Sequence, residues 1–256
     1  MHLLIRSLAL FLTLSSSILY GATYTVSDES LEMTIERIPI THGTGDLIDL
    51  EVIISYRANM EQKDYPDFIQ LRSDLVGWTT RFNLIPNGET APLYWESMVK
   101  DACELVLENY PNIETVLLNT SVHPNSKLNY PHIMSCEITR ANGTTPSKII
   151  ESVSFPIKTC SIDHQGPQVI DLLATFEYVE GLGAREYPDF EAAYAQLFNL
   201  LEDYPVESDY WETMIKADSE DLLDSYPTFA AIDMRMNVYP TASVDYFHKV
   251  NCRTER

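Results

Sequence analysis

A chain of 256 residues with 45% apolar content has enough hydrophobic material for one large core or two smaller ones. Its 38 Asp and Glu outnumber 17 Lys and Arg, giving a formal charge of −21. With no basic cluster to neutralise phosphates, nucleic acid is not an expected partner, and the acidic excess reads most simply as a solubilising surface.

The chain opens with "MHLLIRSLALFLTLSSSILYGA", in which Arg6 precedes an apolar run from Leu8 to Leu14 and Gly21-Ala22 offer small residues for cleavage. This pattern predicts a signal peptide over residues 1–21 and a secreted or periplasmic mature protein. Ser15-Ser16-Ser17 interrupts the apolar stretch short of the roughly 20 residues that a membrane span requires. No later stretch approaches that length, so stable membrane insertion is not expected. Cys103, Cys136, Cys160 and Cys252 form no C-x-x-C pair and no finger-like spacing, so no metal is predicted. Export would permit disulfides without fixing their pairing. The sequons at Asn119 and Asn142 matter only in a host that glycosylates exported chains.

The remainder is written twice. "LIDL" at Leu47 returns as "VIDL" at Val169, and "YPDF" at Tyr65 returns at Tyr187, both displaced by 122 positions. Further along the displacement is 116: Trp95-Glu96 returns as Trp211-Glu212, Tyr110-Pro111 as Tyr226-Pro227, and Tyr130, His132 and Cys136 as Tyr246, His248 and Cys252. The six extra residues of the first copy fall in "FNLIPNGETAPL", where Pro and Gly mark a loop. Lengthening a surface loop costs little.

Each copy opens with two strand-like runs. The first is "LEMTIERIPI" or "KIIESVSFPIKTC", and the second, Ile48 to Tyr56 or Ile170 to Tyr178, alternates apolar and polar residues. The connecting "THGTGD" and "DHQGP" carry turn residues, so each copy should begin with a hairpin. YPDF then predicts a helix with Pro at its first position and Asp in its first turn. YWE predicts a second helix, ended by Tyr-Pro. Alternation resumes in a third strand through Val116 to Val122 and Ile232 to Val238. A fourth runs near Tyr130 to Thr139 and Tyr246 to Thr254. The order is ββααββ, twice, dividing the chain at residues 22–145 and 146–256. Fold class α+β follows: two tandem units, each an antiparallel four-stranded sheet with two helices on one face.

This pattern resembles the tunnelling fold, or T-fold, over nearly the whole chain from about Glu29. The fold is that of dihydroneopterin aldolase, pyruvoyl-tetrahydropterin synthase, GTP cyclohydrolase I and urate oxidase, the last with two units per chain. The resemblance implies self-association into a barrel as a homo-oligomer, with sheet edges capped by subunit contacts. It also implies a small heterocyclic ligand, pterin- or purine-like, held between units by a glutamate or glutamine; no cofactor is implied.

The closest local likeness is to dihydroneopterin aldolase. Tyr65 and Tyr187 occupy the place of its functional tyrosine, and Glu96 and Glu212 match the glutamate that opens its second helix and holds the pterin ring. A carboxylate suits that task because it can accept two parallel N–H bonds. The catalytic lysine of that family falls on His123 and Tyr239, so a lyase or epimerase reaction is left open while ring binding is kept. His123 is the candidate base at this position. Other readings stand beside these. Tyr65 and Tyr187 fit hydrophobic staples before a helix, Glu212 fits a capping box with Asp209, and His132 and His248 fit packing or interface positions. A non-catalytic binding or structural module on the same scaffold is the alternative function.

Overall fold

The computed structural model describes residues 29–40, 46–57, 60–81, 94–141, 147–206, 208–242 and 245–256. The signal peptide, the Thr41–Gly45 turn and the proline-containing loop expected at 82–93 lie outside the described residues.

The first half runs β1 (Ser30–Ile40), β2 (Asp46–Tyr56), α1 (Phe68–Arg81), α2 (Trp95–Asn109), β3 (Ile113–Val122) and β4 (His132–Thr139). The second runs β5 (Lys148–Asp163), β6 (Pro167–Tyr178), α3 (Phe190–Glu202), α4 (Trp211–Ser225), β7 (Phe229–Val238) and β8 (His248–Glu255). The expected ββααββ order is therefore present twice. The eight strands form one antiparallel sheet in the order β1 to β8. The two halves join edge to edge where β4 pairs with β5, Cys136 lying opposite Glu151 and Ile133 opposite Ser154.

Alternation decides which side chains the helices cover. In β2, Ile48, Leu50, Val52 and Ile54 are fully buried while Asp49, Glu51 and Ser55 between them remain partly open, as a strand's period of two requires. β6 repeats this with Ile170, Leu172, Ala174 and Phe176. Helix α2 packs on β3, β4 and β5, and α4 on β7 and β8, so one helix of the first half reaches over the seam onto the second. All four helices contribute to one continuous apolar core.

Two local expectations change. Pro and Asp of YPDF precede the helix rather than enter it: Asp189 is the N-cap, its carboxylate accepting from the backbone of Glu191 and Ala192. Asp67 Oδ1 accepts from Ile69 and Gln70 N–H at 2.9 and 3.3 Å in the same way. The capping box expected at Asp209 does not form either. Tyr210 is the N-cap of α4 with no side-chain cap bond, because the Asp209 carboxylate is engaged by the Tyr204 hydroxyl at 2.9 Å.

The repeat extends to irregularities. β1 bulges between Ile35 and Ile38, and β5 between Ile157 and Cys160. Arg37 and Thr159, at the same place in each bulge, have φ of 56° and 54°. Their N–H groups are bound by Asp49 and Asp171 at 2.6 and 2.8 Å, a side-chain acceptor that holds a non-glycine residue in a left-handed conformation.

Candidate functional site

The seam between the halves buries polar groups drawn from both. Helix α2 opens with Trp95 and Glu96 against the sheet, and both are buried. Glu96 and Lys100, four residues apart, share a helix face. Beneath them β5 presents Glu151 on the side of the buried Val153 and Phe155, and β6 ends at Tyr178. Tyr187, just before α3, completes the group.

The Tyr178 hydroxyl donates to Glu96 Oε1 at 2.7 Å. The Tyr187 hydroxyl donates to Glu151 Oε1 at 2.5 Å, and Lys100 Nζ lies 3.0 Å from Glu151 Oε2. The two tyrosine rings meet edge to face at 5.2 Å, and the Tyr94 ring lies 6.3 Å from that of Tyr187. Glu151 thus has a hydroxyl on one oxygen and an ammonium on the other. Glu96 has a hydroxyl on one oxygen only; its Oε2 is buried without a hydrogen-bond partner.

This asymmetry sets the electrostatics. Burial raises the Glu96 carboxyl above the usual range, the Tyr178 hydrogen bond offsets part of that, and the charge of Glu151 adds to it. Burial, with the neighbouring carboxylates, likewise pushes the Tyr178 and Tyr187 hydroxyls up, so both are donors at neutral pH. The arrangement leaves one acceptor oxygen buried and unpartnered, on a carboxyl that already holds the Tyr178 hydroxyl. Chemically that suits the N–H edge of a planar ring more than proton relay.

Of the residues that the sequence nominates, Glu96 and Tyr187 are brought together here, one from each half. The others are elsewhere. Glu212 is exposed in the first turn of α4. Tyr65 lies near the β1 edge, its hydroxyl donating to Glu29 and its ring meeting Tyr56 edge to face at 5.3 Å. Glu29, Tyr56, Tyr65 and Phe68 line a cavity of about 660 Å³ there. His123 Nε2 lies 2.9 Å from Asp49 Oδ2. Asp49 alternates with the buried Ile48 and Leu50, so this pair sits on the sheet face away from the helices, apart from Glu96. Tyr239, its counterpart, bonds Asp171 at 3.0 Å. His132 is a packing residue, buried among the rings of Trp95, Tyr130 and Phe190, where burial holds its pKa down at about 4. Its counterpart His248, half-buried, meets Trp211 and Tyr246 instead.

Lys100, Glu151 and Tyr178 are the members of the cluster that motif reading misses. A signal for them exists in the repeat. The displacement of 122 carries Glu29 onto Glu151 and Tyr56 onto Tyr178, and that of 116 carries Lys100 onto Lys216.

Several solved structures share this architecture from end to end. A uricase from Arthrobacter globiformis superposes with a TM-score of 0.63 over 92% of this chain and 96% of its own, at 10% identity. The chain has the tandem T-fold. A uricase from Bacillus fastidious gives 0.61 over 91% and 94%, also at 10% identity. Urate oxidase from Bacillus sp. TB-90 gives 0.60 over 90% of this chain and all of its own (100%), at 10% identity. No family model matches the sequence, and no curated protein matches it. Among the described residues of this T-fold chain, Glu96 stands at the start of the second helix of the first unit, against the neighbouring unit. Among its described residues no helix is long and apolar enough to cross a membrane, and all four cysteines are free thiols.

Proposed function

We propose that this is an exported tandem T-fold protein that binds a planar, purine- or pterin-like heterocycle at the junction of its units and self-associates through its sheet edges. The observation that carries the reading is the buried, unpartnered Oε2 of Glu96 among tyrosine rings. A carboxylate oxygen left open in an apolar surround is costly unless a donor sometimes fills it. The similar solved structures support the choice of ligand class, since their names are those of urate oxidases and urate is a purine. The reading stops at binding: His123 and Tyr239 stand where the aldolase-like pattern has its lysine, on the other face of the sheet, and no reaction is assigned.

One feature favours a second reading, a non-catalytic scaffold. Glu96 is only 4% exposed, with Tyr178 bonded to its Oε1, so a ring that takes both carboxylate oxygens enters only if Tyr178 turns away. On the scaffold reading Tyr178 is the permanent occupant. Thermal shift with neopterin, biopterin, guanine, xanthine and urate separates the two. Stabilisation of the wild type by one of these, lost in Glu96→Gln and enhanced in Tyr178→Phe, supports the binding reading. No shift in any variant supports the scaffold.

A further inference from the structure

The two helices of the second half leave a cleft of about 430 Å³ between them. Leu200, Asp203 and Tyr204 wall it from the end of α3, and Ala217, Asp218 and Asp221 from α4. Tyr187 precedes the first turn of α3 while the cleft lies at its last turns, so the Glu96 cluster is a different place.

The fold does not demand carboxylates here. At the corresponding positions the first half has Trp78 for Leu200, Ala102 for Asp218 and Leu105 for Asp221. Trp78 and Ala102 are buried and Leu105 packs against the core. An apolar solution is thus available to this pair of helices, and the second half departs from it by burying an acid. Asp218 is 1% exposed, and its Oδ2 is buried without a hydrogen-bond partner, which is costly unless something fills it. Burial and the charge of Asp221 push its pKa up to about 7, so a proton is the occupant at acid pH.

The surroundings select a cation. Asp218 and Asp221, three residues apart, share a face of α4, and Asp203 adds a third carboxylate. Asp203 is also the C-cap of α3, whose last turn contains no basic residue, and the negative end of a helix dipole favours positive charge. The titratable groups of the lining are Asp203, Tyr204, Asp218 and Asp221, and none of its described residues is Lys, Arg or His.

The cation is organic. Among the described residues no group of three or more His, Cys, Asp and Glu is arranged to hold a metal ion, and a cleft of this volume is the size of a small-molecule site. Tyr204, anchored by the 2.9 Å bond of its hydroxyl to Asp209, supplies an aromatic wall, which attracts ammonium groups. Leu200 and Ala217 supply apolar surface for a carbon chain.

We propose that this cleft binds a small aliphatic amine in its ammonium form, the charge seated on Asp218 and Asp221 and the carbon chain lying along Leu200 and Tyr204. In a diamine the second ammonium meets Asp203. Binding releases the proton of Asp218 to solvent, because the ammonium takes its place.

Isothermal titration with putrescine tests this, with butanediol as the uncharged analogue and calcium chloride as the metal arm. Putrescine should bind the wild type, more tightly as pH rises from about 6 to about 8 and Asp218 gives up its proton, the amine staying charged throughout. Asp218→Asn should weaken binding on the order of tenfold or more and remove the pH dependence. Asp218→Ala, which copies Ala102, should do the same, and Asp221→Leu, which copies Leu105, should weaken binding as well. Asp224→Asn, at an exposed acid on the same helix, should leave it unchanged. Absence of binding, equal binding of butanediol, tighter binding of calcium than of putrescine, or equal weakening by Asp224→Asn overturns the proposal. So does affinity unchanged in the Asp218 variants.

Discussion

Tyr178, the last residue of β6, donates to Glu96 in the first turn of α2 at 2.7 Å, which ties the second half of the sheet to the first half's helix. The bond is buried and its acceptor is a carboxyl, a setting in which a hydrogen bond is worth about 1.5–3 kcal/mol. Tyr178→Phe should therefore lower the free energy of unfolding by about 2 kcal/mol, measured by urea denaturation. If heterocycles bind at Glu96, the same variant should bind them more tightly, because Oε1 is then freed and both carboxylate oxygens can accept from one ring edge.

Much of the T-fold was legible because its strands alternate and its phrases repeat. The cluster was less so, and Glu151 shows why. In "KIIESVSF" it looks like one more polar residue on a half-exposed strand, yet it faces the helices with Val153 and Phe155. It is tolerated there because Lys100, 51 positions earlier, and Tyr187, 36 positions later, both reach it. Pairing between residues so far apart leaves no local pattern. His123 shows the opposite failure: correspondence with a motif placed it at a site, while the strand alternation of its partner Asp49 puts it on the other face.

Lys100→Met should cost more than Tyr178→Phe. It strips the cation from a carboxylate that is 4% exposed, and an uncompensated buried charge costs about 3–5 kcal/mol. Lys100 itself is 19% exposed, so solvent screening brings the expectation to the lower end of that range, about 3 kcal/mol. Pairing it with Glu151→Gln should recover part of the loss, a coupling that a double-mutant cycle measures.

Stability should fall with rising pH through a specific carboxyl. Asp218, buried on α4 opposite the charge of Asp221, has its pKa pushed up to about 7. The folded state thus holds this proton more tightly than the unfolded state. The resulting stabilisation is fully present below the ordinary carboxylate range and is lost as pH rises toward and through about 7. The raised carboxyl of Glu96 acts in the same direction. Melting temperatures followed from about pH 5 to about pH 8 should drop in the wild type and drop less in Asp218→Asn. Ala102 stands at the corresponding place in the first half, so the position itself requires no carboxylate.

The caps that start α1 and α3 predict a smaller and local effect. Asp189→Ala removes an acceptor used by Glu191 and Ala192 N–H and should cost about 1 kcal/mol, with Asp189→Asn close to neutral. Tyr187 lies two residues before the cap, so hydrogen exchange in Asp189→Ala should rise around Tyr187 and the first turn of α3.

Self-association through the sheet edges leaves neither β1 nor β8, the two ends of the sheet, as an open edge. Analytical ultracentrifugation of the unmodified protein at micromolar concentration tests it most directly. A mass of two chains or more is the expected result. A single-chain mass across that range would contradict it.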